Sequence, residues 1–301
     1  MKFDTTTLLS GLHFLESPRW HNGRVWMSDI YAHRVYSAAE DGQDLRVEAE
    51  FDGLPSGLGW LPDDTLLTSM TGRDYRLLRR SPTGELTVHA DLGDAHGPLS
   101  DMITDQDGTA YVGAFGFDAA AGAPIAEGAI YRVTPQGKIE MAADGLLIPN
   151  GMAITDDRRL VVNESFGNRI TTFTIAADGS LHDRAELARF GPPPTSRSIA
   201  EVIPALAVTP DGCALDAEGG LWVADPERNR AIRLRADGTH TDTIEAEDEI
   251  FACALGGQDG RTLFLCAAPD SNPARRTEQT ESSLLAARVD VPAADHGRGR
   301  R

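Results

Sequence analysis

The sequence predicts an all-β fold, a six-bladed β-propeller of four-stranded antiparallel blades, and three observations carry that prediction. A short pattern recurs six times: a polar and a small residue open an apolar run, an Asp-rich turn follows, and a second strand-type run completes a hairpin. The clearest copy is Ile148-Pro149-Asn150-Gly151-Met152-Ala153-Ile154 ahead of Leu160-Val161-Val162. The copies start about 40 to 60 residues apart, the spacing of four-stranded blades with loops of varying length. No linker separates differently composed halves, so one domain is expected over residues 1–294, with a frayed tail over 295–301.

In chain order, Thr6–Leu12 reads as a strand ahead of the first repeat. Its expected role is to complete the last blade, because ring closure removes exposed sheet edges. The first blade runs from Leu15 to Phe51 with hairpin turns at Asn22-Gly23 and Asp41-Gly42. The second runs from Leu54 to Leu92 and the third starts near Pro98. Within the third, Asp118 to Gly128 is an Ala/Gly-rich insert with little to bury, read equally as a mobile loop or a tolerated surface insertion. The fourth blade spans Ile148 to Phe190, and a proline-bearing connector, Gly191 to Pro204, follows it. The fifth, Thr209 to Ile244, is the most regular in pattern; the sixth begins at Ile250 and is expected to include a strand at Leu284–Val291.

Composition narrows the function. A formal charge of −18 argues against nucleic acid and anionic membrane surfaces as partners. No run of 18 apolar residues is present, so no membrane span is expected. The first residues lack a charged-then-apolar signal pattern, and a cytoplasmic protein is the expectation. Cys213, Cys253 and Cys266 lie in or beside apolar strands and read as buried free thiols. The eight histidines are scattered without HxH or HExxH spacing, which disfavours a His-ligated zinc site. Around Ser56, Leu54 and Leu58 stand where the G-x-S-x-G nucleophile elbow needs its two glycines, and the strand-to-helix context is missing.

The repeat itself points to a site. One position of the pattern carries Glu16, Ser56, Ser100, Asn150 and Asp211, and equivalent positions of a closed ring converge on one axis. Taken singly, Asn150-Gly151 and Asp211-Gly212 are ordinary turn dipeptides and Glu16 a surface residue. Their shared register reverses that judgement. Carboxylates gathered on one axis repel and lose hydration, a cost that a cation relieves. Two carboxylates and an amide carbonyl make a hard oxygen set suited to Ca²⁺, Mg²⁺ or Mn²⁺.

Ordered blocks over residues 14 to 270 give the chain a family resemblance. They are Glu16-Ser17-Pro18-Arg19-Trp20, Gly59-Trp60-Leu61-Pro62-Asp63, Ser100-Asp101-Met102, Pro149-Asn150-Gly151-Met152, Pro210-Asp211-Gly212 through Asp216-Ala217-Glu218-Gly219, and Cys253-Ala254-Leu255-Gly256-Gly257. In them the chain resembles the gluconolactonase/regucalcin family, which includes luciferin-regenerating enzymes. The resemblance implies a six-bladed propeller with one divalent metal ion, Ca²⁺ first, with Mg²⁺, Mn²⁺ or Zn²⁺ as alternatives. It places the ligands at Glu16, Asn150 and Asp211, makes Asp211 the residue that handles the water proton, and sets Ser100 and Asp101 against the substrate. Where many members carry an Asn, this chain has Ser100, and their Arg two places earlier falls at Pro98. The implied metal ligands are intact and the sugar-reading contacts altered. The expected activity is metal-dependent hydrolysis of a lactone, a sugar lactone or related small cyclic ester, by an activated water. The alternatives are another ester or phosphotriester hydrolase on the same site, or a non-catalytic calcium-binding propeller.

Overall fold

The computed structural model describes residues 3–294. The tail expected over 295–301 lies outside the described residues. Six four-stranded antiparallel sheets make up the fold, a six-bladed β-propeller. Strand β1 (Thr5–Leu12) leads into the first sheet, β2 (Leu15–His21), β3 (Arg24–Asp29), β4 (Arg34–Ala38) and β5 (Arg46–Glu50). The second holds β6 (Leu54–Trp60), β7 (Leu66–Thr71), β8 (Arg76–Arg80) and β9 (Leu86–Asp91). The third holds β10 (Leu99–Thr104), β11 (Ala110–Ala114), β12 (Gly128–Val133) and β13 (Ile139–Leu146). The fourth holds β14 (Pro149–Ile154), β15 (Arg159–Glu164), β16 (Arg169–Ile175) and β17 (Leu181–Arg189), and helix α1 (Ile199–Val202) follows it. The fifth holds β18 (Cys213–Leu215), β19 (Leu221–Asp225), β20 (Arg230–Leu234) and β21 (His240–Glu245). The last contains β22 (Glu249–Gly256), β23 (Thr262–Ala268) and, after helix α2 (Pro273–Glu278), β24 (Ser282–Arg288).

The final sheet has the order β1-β24-β23-β22. The N-terminal strand therefore completes the last blade, with Thr5 opposite Ala287 and Leu12 opposite Ser282. The turns follow their residues: Asn22 and Gly23 both take positive φ, 48° and 75°, as a two-residue hairpin turn matched to strand twist requires.

Two expectations are corrected. The fifth blade, read as the most regular in pattern, opens on a strand of only three residues, Cys213–Leu215, which pairs with β19 without a register shift. The strand expected at Leu284–Val291 is Ser282–Arg288, where pairing with β23 sets both ends. The insert does have something to bury: Ile125 is 4% exposed, and Ala123 and Ala126 pack beside it.

By its internal contacts the chain divides into two compact units. One joins the chain through Asp52 to everything from Asp211 onward; the other is Gly53–Pro210. In the first unit, Leu15, Val25, Met27 and Phe264 share a core on which Trp20 stacks, its ring 5.6 Å from that of Phe264. The fifth sheet is locked by Asp216, whose carboxylate receives Arg233 Nε at 2.7 Å and the backbone N–H groups of Glu218 and Gly220. A buried carboxylate needs such partners to offset its lost hydration. In the second unit, Leu67, Leu77, Leu99, Met102 and Val112 fill one core, and Tyr111, Leu160, Val162 and Phe173 another.

Candidate metal and substrate site

Four of the five repeated polar positions lie at a defect in their sheet; the fifth, Asp211, lies just before its strand. Between Pro55 and Leu58, Leu99 and Met102, and Pro149 and Met152, the first strand carries one residue more than its partner. The same irregularity falls between Glu16 and Arg19 and between Ile250 and Ala252. A β-bulge breaks the alternation of side chains and re-aims one of them, which is why bulges collect near sites. The bulges contain Ser56, Ser100, Asn150 and Phe251, while Glu16 is the last paired residue before its own. The sixth member of the series is thus an apolar residue, Phe251, 4% exposed, its ring 4.8 Å from that of Phe14.

Within the first unit, β22 packs against both β2 and the short β18. Glu16 is half-buried; its Oε2 accepts the N–H of Ser17 at 3.0 Å and its carbonyl accepts Ser28 Oγ at 3.1 Å. Asp211 is 8% exposed, its backbone N–H donated to Ala224 O at 2.9 Å. Cys253 and Cys266 lie close by. Burial pushes both thiols up, with the charge of Asp211 adding at Cys253 and that of Glu16 at Cys266. Arg19 opposes the rise at both. This guanidinium, quoted in the sequence only as part of a block, is the counter-charge that the repeat pattern did not single out.

Within the second unit, hydroxyls tie each first strand to its neighbour. Gly57 N–H donates to Ser69 Oγ at 2.8 Å, and Ser69 Oγ donates to Ser100 O at 2.8 Å. Ser100 is 3% exposed and its own hydroxyl donates to Pro149 O at 2.6 Å. Ser165 Oγ donates to Pro210 O at 3.0 Å and accepts Asn150 Nδ2 at 3.2 Å. That last pair fixes the amide. A proline carbonyl can only accept, so the single Ser165 proton goes to Pro210 and the hydroxyl lone pair must receive the NH₂ group. The carbonyl oxygen of Asn150 is left to face elsewhere as an acceptor, the atom a hard cation would use. Asp101 is buried, with Oδ1 accepting Met102 N–H at 2.8 Å.

Among the described residues, no three His, Cys, Asp and Glu side chains form a metal-holding group. The set expected from the repeats is of another composition, two carboxylates and an amide. By donor chemistry these residues suit a hard divalent ion.

The chain belongs to the SMP-30/gluconolactonase/LRE-like family, whose model matches residues 14–269. It is 27% identical to pentonolactonase XacC of Haloferax volcanii over 92% of this chain and 91% of that one. Its fold is similar to that of a luciferin-regenerating enzyme, with a TM-score of 0.77 at 17% identity, covering 99% of this chain and 100% of that one. A calcium-binding regucalcin from Agrobacterium tumefaciens gives a TM-score of 0.75 at 19% identity, with 98% of each chain covered.

Proposed function

We propose that the chain is a lactonase, opening a lactone ring by hydrolysis with the help of one divalent cation. The observation that carries the reading is the similarity to a pentonolactonase along 91% of that protein's length. Glu16, Asn150 and Asp211 are the proposed ligands. Support comes from their shared place in the repeat, the hard-oxygen character of the set and the fixed amide of Asn150. Calcium is the first candidate, since the regucalcin of similar fold is a calcium-binding protein.

When bound, the cation would act as a Lewis acid on the lactone carbonyl. The chain's own groups do the rest. Asp211 accepts a proton from the attacking water, a carboxylate base being useful where the ion is hard and lowers a water pKa only modestly. Asn150, held by Ser165, presents a fixed carbonyl rather than a rotating one. Lactones are strained or activated esters, so no side-chain nucleophile is needed.

The test is a panel of pentono- and hexonolactones and unsubstituted small lactones, followed by acid release with and without chelator. Turnover that chelator removes and added Ca²⁺ restores is expected. Calcium binding with no turnover of any lactone would favour a binding propeller instead.

A further inference from the structure

Three buried carboxylates that the lactonase reading leaves unused recur at one register. Asp29, Glu164 and Asp225 close the second strands of the first, fourth and fifth sheets, and each is fully buried. Asp29 pairs with Leu15, the residue before Glu16, and Glu164 pairs with Pro149, the residue before Asn150. In the fifth sheet Asp211 N–H donates to Ala224 O and Ala224 N–H donates to Gly212 O, so Asp225 is the next residue along that strand. The sheets without a proposed ligand carry apolar residues at this register. Met70 lies opposite Pro55, Ala114 opposite Leu99 and Ala267 opposite Ile250, all three buried. A blade therefore closes without an acid here, and burying one is costly unless it is hydrogen-bonded. The acids occur only where a ligand is proposed.

What they hold is the backbone leading into the ligand strand. Asp29 Oδ2 accepts His13 N–H at 3.0 Å and Oδ1 accepts Phe14 N–H at 2.9 Å. Glu164 Oε2 accepts Leu147 N–H at 2.9 Å, while Oε1 receives Arg169 Nε at 2.7 Å and the Thr171 hydroxyl. His13 stands three residues before Glu16, and Leu147 three before Asn150. The third sheet supplies the comparison. There Phe115 N–H donates to Pro98 O at 2.9 Å, the same rung that Ile30 N–H makes to Phe14 O and Ser165 N–H to Ile148 O, each at 3.0 Å. The rung is common to the three sheets; the carboxylate clamp ahead of it belongs to the two with a ligand. Each clamp also adjoins a serine that touches the ligand residue. Ser28 Oγ donates to Glu16 O at 3.1 Å, and Ser165 Oγ accepts Asn150 Nδ2 at 3.2 Å. A ligand beside a bulge has less ladder to hold it, and a clamp on the preceding residues supplies that constraint.

We propose that Asp29 and Glu164 are positioning residues, each fixing the strand entry from which Glu16 or Asn150 presents its oxygen to the cation; the proposal rests on the cation-assisted lactonase reading above. Asn or Gln in their place keeps the size but offers one oxygen, so an amino group is turned toward a donor and the entry shifts.

The test measures Ca²⁺ affinity by calorimetry, and the melting temperature without metal, for the parent, Asp29→Asn, Glu164→Gln and the control Asp216→Asn. Asp216 is likewise buried and paired with an arginine, Arg233, but it follows the far end of β18. The expected result is Ca²⁺ affinity at least about tenfold weaker in Asp29→Asn and Glu164→Gln, the scale of lost support behind a metal ligand. Asp216→Asn should melt lower and keep the parent's affinity. Parental affinity in both clamp variants, or an equal loss in Asp216→Asn, overturns the proposal. Should Glu164→Gln not fold, Thr171→Val removes one donor to Glu164 and keeps the strand's shape. It should weaken Ca²⁺ about threefold, and unchanged affinity overturns the clamp. If the parent takes up no divalent ion, the cation reading fails by itself. Amide exchange then reads the clamp: faster exchange confined to residues 13–16 in Asp29→Asn and 147–150 in Glu164→Gln supports it, and unchanged or uniformly faster exchange overturns it.

Discussion

Ser100 Oγ donates its proton to Pro149 O at 2.6 Å, so the third blade is fastened to the fourth at the residue immediately before Asn150. The bond is buried, and its loss leaves a carbonyl without its hydroxyl partner. Gly113 packs against both atoms, and a Cβ at Gly113 would overlap Ser100 Oγ and Pro149 O.

Ser100→Ala is expected to lower stability by about 1 to 3 kcal/mol, the cost of stranding a buried acceptor. Gly113→Ala is expected to destabilise by a comparable or larger amount through steric overlap. Because both act on one contact, the double variant should be less unstable than the sum of the two. Urea unfolding of the three variants checks this; strict additivity would separate Gly113 from the Ser100 bond.

Glu249 opens β22 half-buried, and burial, followed by the charges of Glu227, Asp270 and Asp248, pushes its carboxyl from the ordinary 4.5 up to about 7. A carboxyl raised in the fold binds a proton that the unfolded chain has already released. Its stabilisation is full below about pH 4.5 and is lost as pH rises through about 7. Glu249→Gln should therefore lose less melting temperature than the parent between pH 5 and pH 8. Parallel melting curves for the two proteins at both pH values would contradict the shift.

Cys213, Cys253 and Cys266 are free and buried, and burial raises the thiols of Cys253 and Cys266. Reaction with a thiol reagent at pH 8 is expected to be absent in the native protein, and all three should react in denaturant. Rapid labelling of the folded chain would show that these strands open.

The sequence made the repeated element legible because a blade is short, local and punctuated by turns. The position shared by Glu16, Ser56, Ser100, Asn150 and Asp211 is visible as a register, and a bulge lies at or beside the first four of them. What stayed hidden depends on partners far along the chain. The Ser100 hydroxyl meets a carbonyl 49 residues away, and the amide of Asn150 is set by a serine 15 residues on. The insert reads as surface from its Ala/Gly content alone. Only when the connector brings Val202 against Ile125 does it gain a core of its own. The short β18 was masked by a fifth-blade pattern whose apolar residues include Val208, which lies before the strand yet is just as buried.

Asp211 is proposed above as base and ligand in a cation-dependent ring opening. The most direct measurement is pH-stat acid release from a pentonolactone by the parent and by Asp211→Asn, each stripped with chelator and then titrated with Ca²⁺. The parent is expected to regain turnover as Ca²⁺ is added, while Asp211→Asn stays at least a hundredfold slower at saturating Ca²⁺, the scale of a lost general base. Turnover in the stripped parent equal to that with Ca²⁺, or an Asp211→Asn variant as fast as the parent, would contradict it.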